Sequence, residues 1–495
     1  MRFSKKLTAI VMTSTALVSA TVLQQSYAHA APFHGTITMY AGGYGPPSTQ
    51  ITTTAPQATA LANLAKQYEK LHPGITIQFV ATPPASTAYS TWVITKASGG
   101  QLPDITLQNP LDLETFPQGT FVSLGPFLNR NDPYVPGKKW KQLFQPQILS
   151  ETSTENGLGG DYVVSGDFVA TAFYYNKSIF KKAGIKSLPT TWSQFIKDCA
   201  ILKKDGYIPF AWDASGSSTG EDHNMTWMPR LFYSNFFATE YKSLEFTHQN
   251  GMTTEDQVIA IKKGIFGIHD AKWMALWPIM KQFSQYWQPD VEGGDDNGLG
   301  PMLLFIKGNV GMYMDASPAT PQIQAAHPSF KWGTFHIPRP DKGTSSHATS
   351  YSYPGTGGPY GGSFNYAVSS SKADSSMTPA KEQAVINWLE FISTPTHDQQ
   401  IVNQIGEYIP SVVGSKPRSS MKLLMPLERT SLNMVFGGLN LVPSEEDAIY
   451  RAYQGYISGG MSLQEFAATA EQQLQNAANQ LIAQNHWNLS KYGIN

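Results

Sequence analysis

Residues 35–40, Gly-Thr-Ile-Thr-Met-Tyr, run into Ala41-Gly42-Gly43-Tyr44, and the apolar residues that follow, Leu61, Leu64, Tyr68 and Leu71, recur at steps of three and four. The first stretch reads as a strand ending in a Gly-rich turn that can bring backbone close to a ligand. The second reads as a helix with one apolar stripe, stopped by His72-Pro73-Gly74. Ile75, Ile77 and Phe79 then alternate with Thr76 and Gln78, which is a second strand. Strand, helix, strand is the unit of a parallel α/β sheet.

The same punctuation recurs downstream. Leu102-Pro103-Asp104 leads into Ile105-Thr106-Leu107, and Phe168 to Tyr175 is a β-prone run ending at Asn176. Thr191 with Gln194 has the form of a capping box, opening a helix that buries Phe195, Cys199 and Leu202. Thr378-Pro379 predicts a cap with Pro in the first turn, before a stripe of Val385, Trp388, Leu389 and Ile392. Ser462 with Glu465 opens a last helix whose buried face is Leu463, Phe466, Ala470, Leu474, Ala477 and Leu481. Two stretches, 213–250 and 338–362, read as long surface segments.

The chain has 495 residues with 35 Lys+Arg against 36 Asp+Glu, a net charge of −1. No basic excess or stripe marks a nucleic-acid partner. A hydrophobic content of 41% supports a globular protein, and the length calls for two domains. Only 14% of residues are charged, against roughly 25% in ordinary soluble proteins. Fewer carboxylate pairs to lose at low pH fits an acidic habitat.

Arg2, Lys5 and Lys6, an apolar stretch from Leu7 to Leu23, and Ala28-His29-Ala30 follow the order of a secretory signal peptide over residues 1–30. Removing it leaves 32 basic and 36 acidic residues. The expectation is export without a membrane span, to the periplasm, cell wall or medium. Cys199 is the one cysteine, so the fold has no intrachain disulfide and no N-terminal cysteine for a lipid anchor.

No motif for catalysis passes its context test. Gly216-Ser217-Ser218-Thr219-Gly220 fits G-x-S-x-G but lies in a polar tract, and Gly355-Thr-Gly357 does not open a helix after a strand. The eleven His are scattered without H-E-x-x-H, and acidic neighbours such as Asp295-Asp296 are adjacent rather than opposed. No catalytic residue, metal ligand or cofactor is expected. Aromatic residues, at 12%, stand close to short polar ones, which suits sugars, whose C–H faces stack on rings while their hydroxyls pair with polar groups.

Five segments in order carry a resemblance: Tyr68-Glu-Lys-Leu-His-Pro-Gly-Ile-Thr-Ile; Ala97-Ser-Gly-Gly-Gln-Leu-Pro-Asp-Ile; Phe173-Tyr-Tyr-Asn-Lys-Ser-Ile-Phe-Lys-Lys-Ala-Gly-Ile with Pro189-Thr-Thr-Trp; Phe305-Ile-Lys-Gly-Asn-Val-Gly-Met-Tyr; and Trp388-Leu-Glu-Phe-Ile-Ser-Thr-Pro with Gly406-Glu-Tyr-Ile-Pro. Together they resemble the family 1 extracellular solute-binding proteins of sugar ABC importers. The resemblance implies an α/β, two-lobed periplasmic-binding-protein-like fold with a hinge and an interlobe ligand cleft. Lobe one would hold residues 31–163 and 362–412, and lobe two 164–361 and 413–495.

It also implies a non-enzymatic monomer that binds a small-molecule carbohydrate and delivers it to ABC transporter permease subunits. A secreted glycoside hydrolase, or the same fold with a non-sugar solute, is the alternative. The cleft positions it transfers are Tyr40, Gly43 and Tyr44; Gln108 and Asn109; Asp167 and Phe168; Trp212 and Asp213; Asp315 and Ser317; Gly361, Gly362 and Ser363; and Tyr408. The family's usual Trp is replaced by Ser317-Pro318, so stacking would pass to Trp212 or Trp227.

Overall fold

The computed structural model describes residues 33–49, 58–83, 89–154, 158, 160–214, 223–248, 251–289, 300–351, 356–358, 362–424, 434–439 and 441–494. The expected signal peptide, residues 1–30, lies outside them. No helix among the described residues is long and apolar enough to cross a membrane.

The opening strand, helix and strand form as read: β1 (Gly35–Tyr40), a helix over Ala60–Leu71 and β2 (Ile75–Phe79), with β1 and β2 parallel. Leu61, Leu64 and Tyr68 are buried, but Leu71, at the last helical position, is 61% exposed. β3 (Ile105–Leu107) joins the other side of β1 in parallel. The Asp of the Leu102-Pro103-Asp104 motif holds this edge: its Oδ2 accepts from the Thr38 amide and hydroxyl at 2.7 and 2.8 Å, and Lys381 Nζ lies 2.6 Å from Oδ1.

β4 (Val163–Ser165) and β5 (Asp167–Asn176) are separated only by Gly166, yet they belong to different sheets. Further strands are β6 (Ile208–Ala211), β7 (Val310–Ala316), β8 (Trp332–Phe335), β9 (Thr356–Gly358), β10 (Asn365–Val368) and β11 (Ile409–Pro410). The first sheet runs β2-β1-β3-β10-β4, with β10 antiparallel to both neighbours. The second has β5 as its spine: β7, β8, β9 and β11 all pair with it antiparallel, and β6 pairs parallel with β7. Each sheet has its own core, one around Ile37, Tyr68, Trp140, Tyr366 and Trp388, the other around Phe173, Trp192, Phe232, Trp277 and Phe283.

The caps form where the sequence places them. Thr191 with Gln194 and Ser462 with Glu465 make reciprocal capping boxes, and Thr378 caps the helix Pro379–Ile392. Cys199 is fully buried. One expectation is corrected. Residues 213–250 are not a long surface segment, since they contain helices His223–Phe236 and Tyr241–Leu244 whose Leu231, Phe232, Tyr233 and Phe236 are buried. Pro229 inside the first helix masks its pattern, because Pro ordinarily reads as a stop.

Candidate ligand site at the crossing of the two sheets

Three stretches of chain pass between the sheets beside Gly166. The first is β4 to β5. The second runs from β9, paired with β5 at Val169, to β10, paired with β4 at Ser165. The third is β11, paired with β5 at Phe168 and Asp167, after which Val412 bridges to Phe144 beside the first core. Backbone bonds tie them: Gly166 N donates to Phe364 O at 2.8 Å, and Ser411 N to Gly166 O at 2.8 Å. A Cβ on Gly166 would sit 2.4 Å from Phe364 Cδ1, so the close approach requires glycine.

The strand directions bring the candidate residues to this seam. β1 and β3 end there, and β10, antiparallel to β3, begins there. In the second sheet β7 ends where β5 begins, and β6, parallel to β7, ends alongside. Ligands of open α/β sheets bind outside these strand ends, where no side chain of the sheet itself blocks access.

On the first sheet's side, Tyr40 at the end of β1 packs against Tyr89 and Trp92 with ring centroids 5.4 and 5.6 Å apart, and Tyr89 and Trp92 stack at 5.6 Å. Tyr40 is buried, while Tyr89 and Trp92 keep part of their surface open. Gln108, just past β3, is buried; its Nε2 donates to Thr106 Oγ1 at 2.9 Å, and its side-chain oxygen has no partner among the described residues. A buried acceptor without a donor costs free energy, and this oxygen has the capacity to accept a hydroxyl hydrogen. Asn109 is half-buried and starts the next turn, its carbonyl accepting from Asp112 N at 3.0 Å.

Asp167 is not available to a ligand. It is fully buried; Oδ2 accepts from Tyr44 Oη at 2.5 Å and Ser363 N at 3.2 Å, and Oδ1 from Phe364 N at 3.1 Å. A Cβ on Gly362 would lie 2.3 Å from Oδ1, so glycine there lets the carboxylate in. Ser363 Oγ donates onward to Tyr408 Oη at 3.2 Å, Tyr408 packs edge-on to Tyr44 at 6.2 Å, and Gly43 abuts Ser363. These residues form a clasp joining the first and second crossings to the Gly42–Tyr44 turn. Burial pushes the Asp167 carboxyl up to about 6 despite the three donated bonds, and burial also raises Tyr44 well above the ordinary phenol value.

On the second sheet's side the reading is mixed. Trp212 is 1% exposed, with Trp287 stacked on it at 4.9 Å and 9°. Its backbone is held by Gln288, whose Oε1 accepts from Trp212 N at 2.8 Å. Trp212 is therefore a packing residue and offers no open face for stacking. Asp213 follows it, 9% exposed. Asp315 is half-buried and accepts from its neighbour Ala316 N at 2.7 Å. Ser317 is fully buried and its amide donates to Ala170 O at 2.7 Å, so it prolongs the β5–β7 pairing. Phe168 is buried with Ile148, Ala170, Ile409 and Met421. The Trp227 side chain and Gly361 lie outside the described residues.

Sequence reasoning missed Tyr89, Trp92, Trp287 and Gln288. A signal existed for the first two, in Tyr89-Ser-Thr-Trp92 opening a helix one element after β2. Nothing in sequence announces that Trp287 covers Trp212 from 75 residues away. Among the described residues, no group of three His, Cys, Asp or Glu is arranged to hold a metal ion.

Residues 52–396, more than half of the chain, match the family of bacterial extracellular solute-binding proteins. The chain belongs to that family. A binding protein of Brucella abortus (strain 2308) is 26% identical over 275 residues, 55% of this chain and 58% of its own length, so the match spans little more than half of that relative. Among solved structures, RafE of Streptococcus pneumoniae in its apo form aligns over 90% of this chain and 100% of its own, with a TM-score of 0.60 and 17% identity. A cyclic α-maltosyl-1,6-maltose binding protein of Arthrobacter globiformis aligns over 90% and 99%, at 0.60 and 17%. A chitin oligosaccharide binding protein aligns over 91% and 100%, at 0.58 and 17%. The fold is that of the two-lobed solute-binding proteins.

Proposed function

We propose that this solute-binding protein captures a carbohydrate, an oligosaccharide, between its two sheets and delivers it to an ABC transporter permease. The observation that carries the reading is the partly exposed aromatic pair Tyr89 and Trp92, in the first turn of the helix Tyr89–Ser98, beside the buried, unpartnered oxygen of Gln108 at the end of β3. A ring face takes the C–H face of a sugar, and a fixed acceptor takes one hydroxyl. The structural neighbours that bind chitin oligosaccharide and cyclic α-maltosyl-1,6-maltose support the ligand class. In this reading the lobes are residues 31–163 with 362–412 and residues 164–361 with 413–495, and the protein works as an exported monomer after cleavage at Ala30.

The three crossings serve as the hinge. A ligand that touches both lobes only when they are closed shifts the open–closed equilibrium by its differential contacts. The test is a thermal-shift screen of the purified protein against mono- and oligosaccharides, with the recovered sugar analysed. A raised melting temperature with the sugar intact supports capture for import. Hydrolysed sugar moves the protein to the glycosidases, and silence across the screen removes the sugar claim.

A further inference from the structure

The end of the second sheet remote from the crossing gathers exposed lysines in a sparsely charged chain. There β8, β5, β7 and β6 lie side by side, and four strand ends span about 15 Å at the usual spacing. A lysine stands just beyond each: Lys331 before β8, Lys177 after β5, Lys307 before β7, and Lys203 with Lys204 before β6. Lys177 N donates to Lys331 O at 2.9 Å, and Asn176 Nδ2 to Gly308 O at 3.5 Å, which ties these ends together. The helix Lys177–Lys182 adds Lys181 and Lys182, and Lys186 follows it. All eight are exposed, and none makes an ion pair among the described residues.

Helix ends explain only part of this. Lys181, Lys182, Lys203 and Lys204 fall in last turns, where the dipole favours a cation. Lys307 caps the C-terminal end of the helix Gly300–Ile306, its amide donating to Leu303 O, and is favoured there too. Lys177 sits in a first turn, where it is disfavoured, and Lys186 and Lys331 are in no helix end that needs them. Aliphatic side chains open to solvent accompany the charges: Leu188 at 37%, Ile201 at 40% and Leu303 at 47% exposed. Ile201 O and Leu303 O accept from Asp205 N and Lys307 N, one turn from the lysines. A groove of about 460 Å³ lined by Tyr175, Lys177, Lys181, Lys186 and Leu188 opens on the same edge.

We propose that this edge docks on an anionic phospholipid surface. All eight cations are Lys and none is Arg. Lys is a flexible point charge that suits a diffuse field of headgroup phosphates, whereas protein–protein contacts enrich Arg and deplete Lys. The interspersed Leu and Ile supply the apolar contact that interfacial binding adds to charge attraction. Docked by this edge, the protein stands with the crossing end of the second sheet turned away from the lipid.

The test uses the exported form recovered from a secreting host and vesicles of equal parts phosphatidylglycerol and phosphatidylcholine. Binding is expected at low salt, with release at about 0.5 M NaCl, and none is expected to pure phosphatidylcholine. The triple change Lys177→Glu, Lys181→Glu, Lys186→Glu lowers vesicle partitioning on the order of 100-fold with the melting temperature and ligand binding kept. The same reversal at Lys138, Lys139 and Lys141, beside the first core, leaves it within about fivefold. A Lys→Gln triple at 177, 181 and 186 gives the same reading if the reversal misfolds. Equal binding to neutral vesicles, or partitioning untouched by the 177/181/186 triples, overturns the proposal. Binding to soluble polyglutamate with no vesicle binding also overturns it, in favour of an acidic protein partner.

Discussion

The two banks of the crossing are built from the same residue types and use them in opposite ways. On the first sheet, Tyr89 and Trp92 leave ring surface open and Gln108 leaves an acceptor unmatched. On the second, Trp212 is sealed under Trp287, and Ser317 spends its amide on Ala170. Between them Asp167 has both oxygens committed to protein donors. An aromatic or an aspartate at a strand end is thus a ligand residue only if its neighbours leave it something to offer. The difference lies in the partners and not in the residue.

The sharpest way to break this comparison is at Asp167. Asp167→Ala strands the Tyr44 hydroxyl and the Ser363 and Phe364 amides without an acceptor, at a cost of about 3–5 kcal/mol for buried donors left unmatched. Thermal or denaturant unfolding reads it. If Asp167 were a ligand residue, the same change would lower affinity and leave the melting temperature alone.

Next is the tryptophan pair. Trp92→Ala is expected to lower ligand affinity about 30-fold, the size of an interface hot spot of about 2 kcal/mol, with a small effect on stability. Trp212→Ala should do the reverse, losing about 3–5 kcal/mol of stability to a core cavity while the remaining folded protein binds within about threefold of normal. Calorimetry of binding and of unfolding on both variants separates the roles, and an exchange of outcomes would move the stacking surface to the second sheet.

The smallest effect expected is the pH profile. Burial raises Asp167 and Asp198 to about 6 and Glu390 and Glu446 to about 7, and burial, with the Asp167 charge adding to it, raises Asp398 well above the usual carboxylate value. The unfolded chain releases these protons near pH 4. Stabilisation from them is therefore fully present below about pH 4 and is lost as pH rises through 6 and 7. Tyr44 and Tyr366 also face Asp167, but they stay protonated across this range. The melting temperature should rise by a few degrees as pH falls from about 8 to about 5, and Asp167→Asn should remove its share of the part near pH 6, leaving that of Asp198. A steady fall over that interval would refute it, and with it the acidic habitat read from the low charge.

Much of the architecture was legible in residues 35–79 because helix and strand periods are local: a stripe at three and four, an alternation at two, and caps at Thr191, Thr378 and Ser462 need no distant partner. The helix His223–Phe236 was missed because Pro229 breaks the local rule and burial against the second core overrides it. At the crossing, the family resemblance brought Tyr40, Gln108, Asp167 and Trp212 into view together. Their division of labour was not legible, since it rests on pairs such as Tyr44 with Asp167, 123 residues apart.

By itself, then, the sequence determined the α/β elements, their order and the family to which the chain belongs, because these follow from short-range pattern. The tertiary structure alone decided which strand-end groups remain open and which are consumed in the clasp, because hydrogen-bond capacity and ring faces are filled by neighbours that only folding brings within reach.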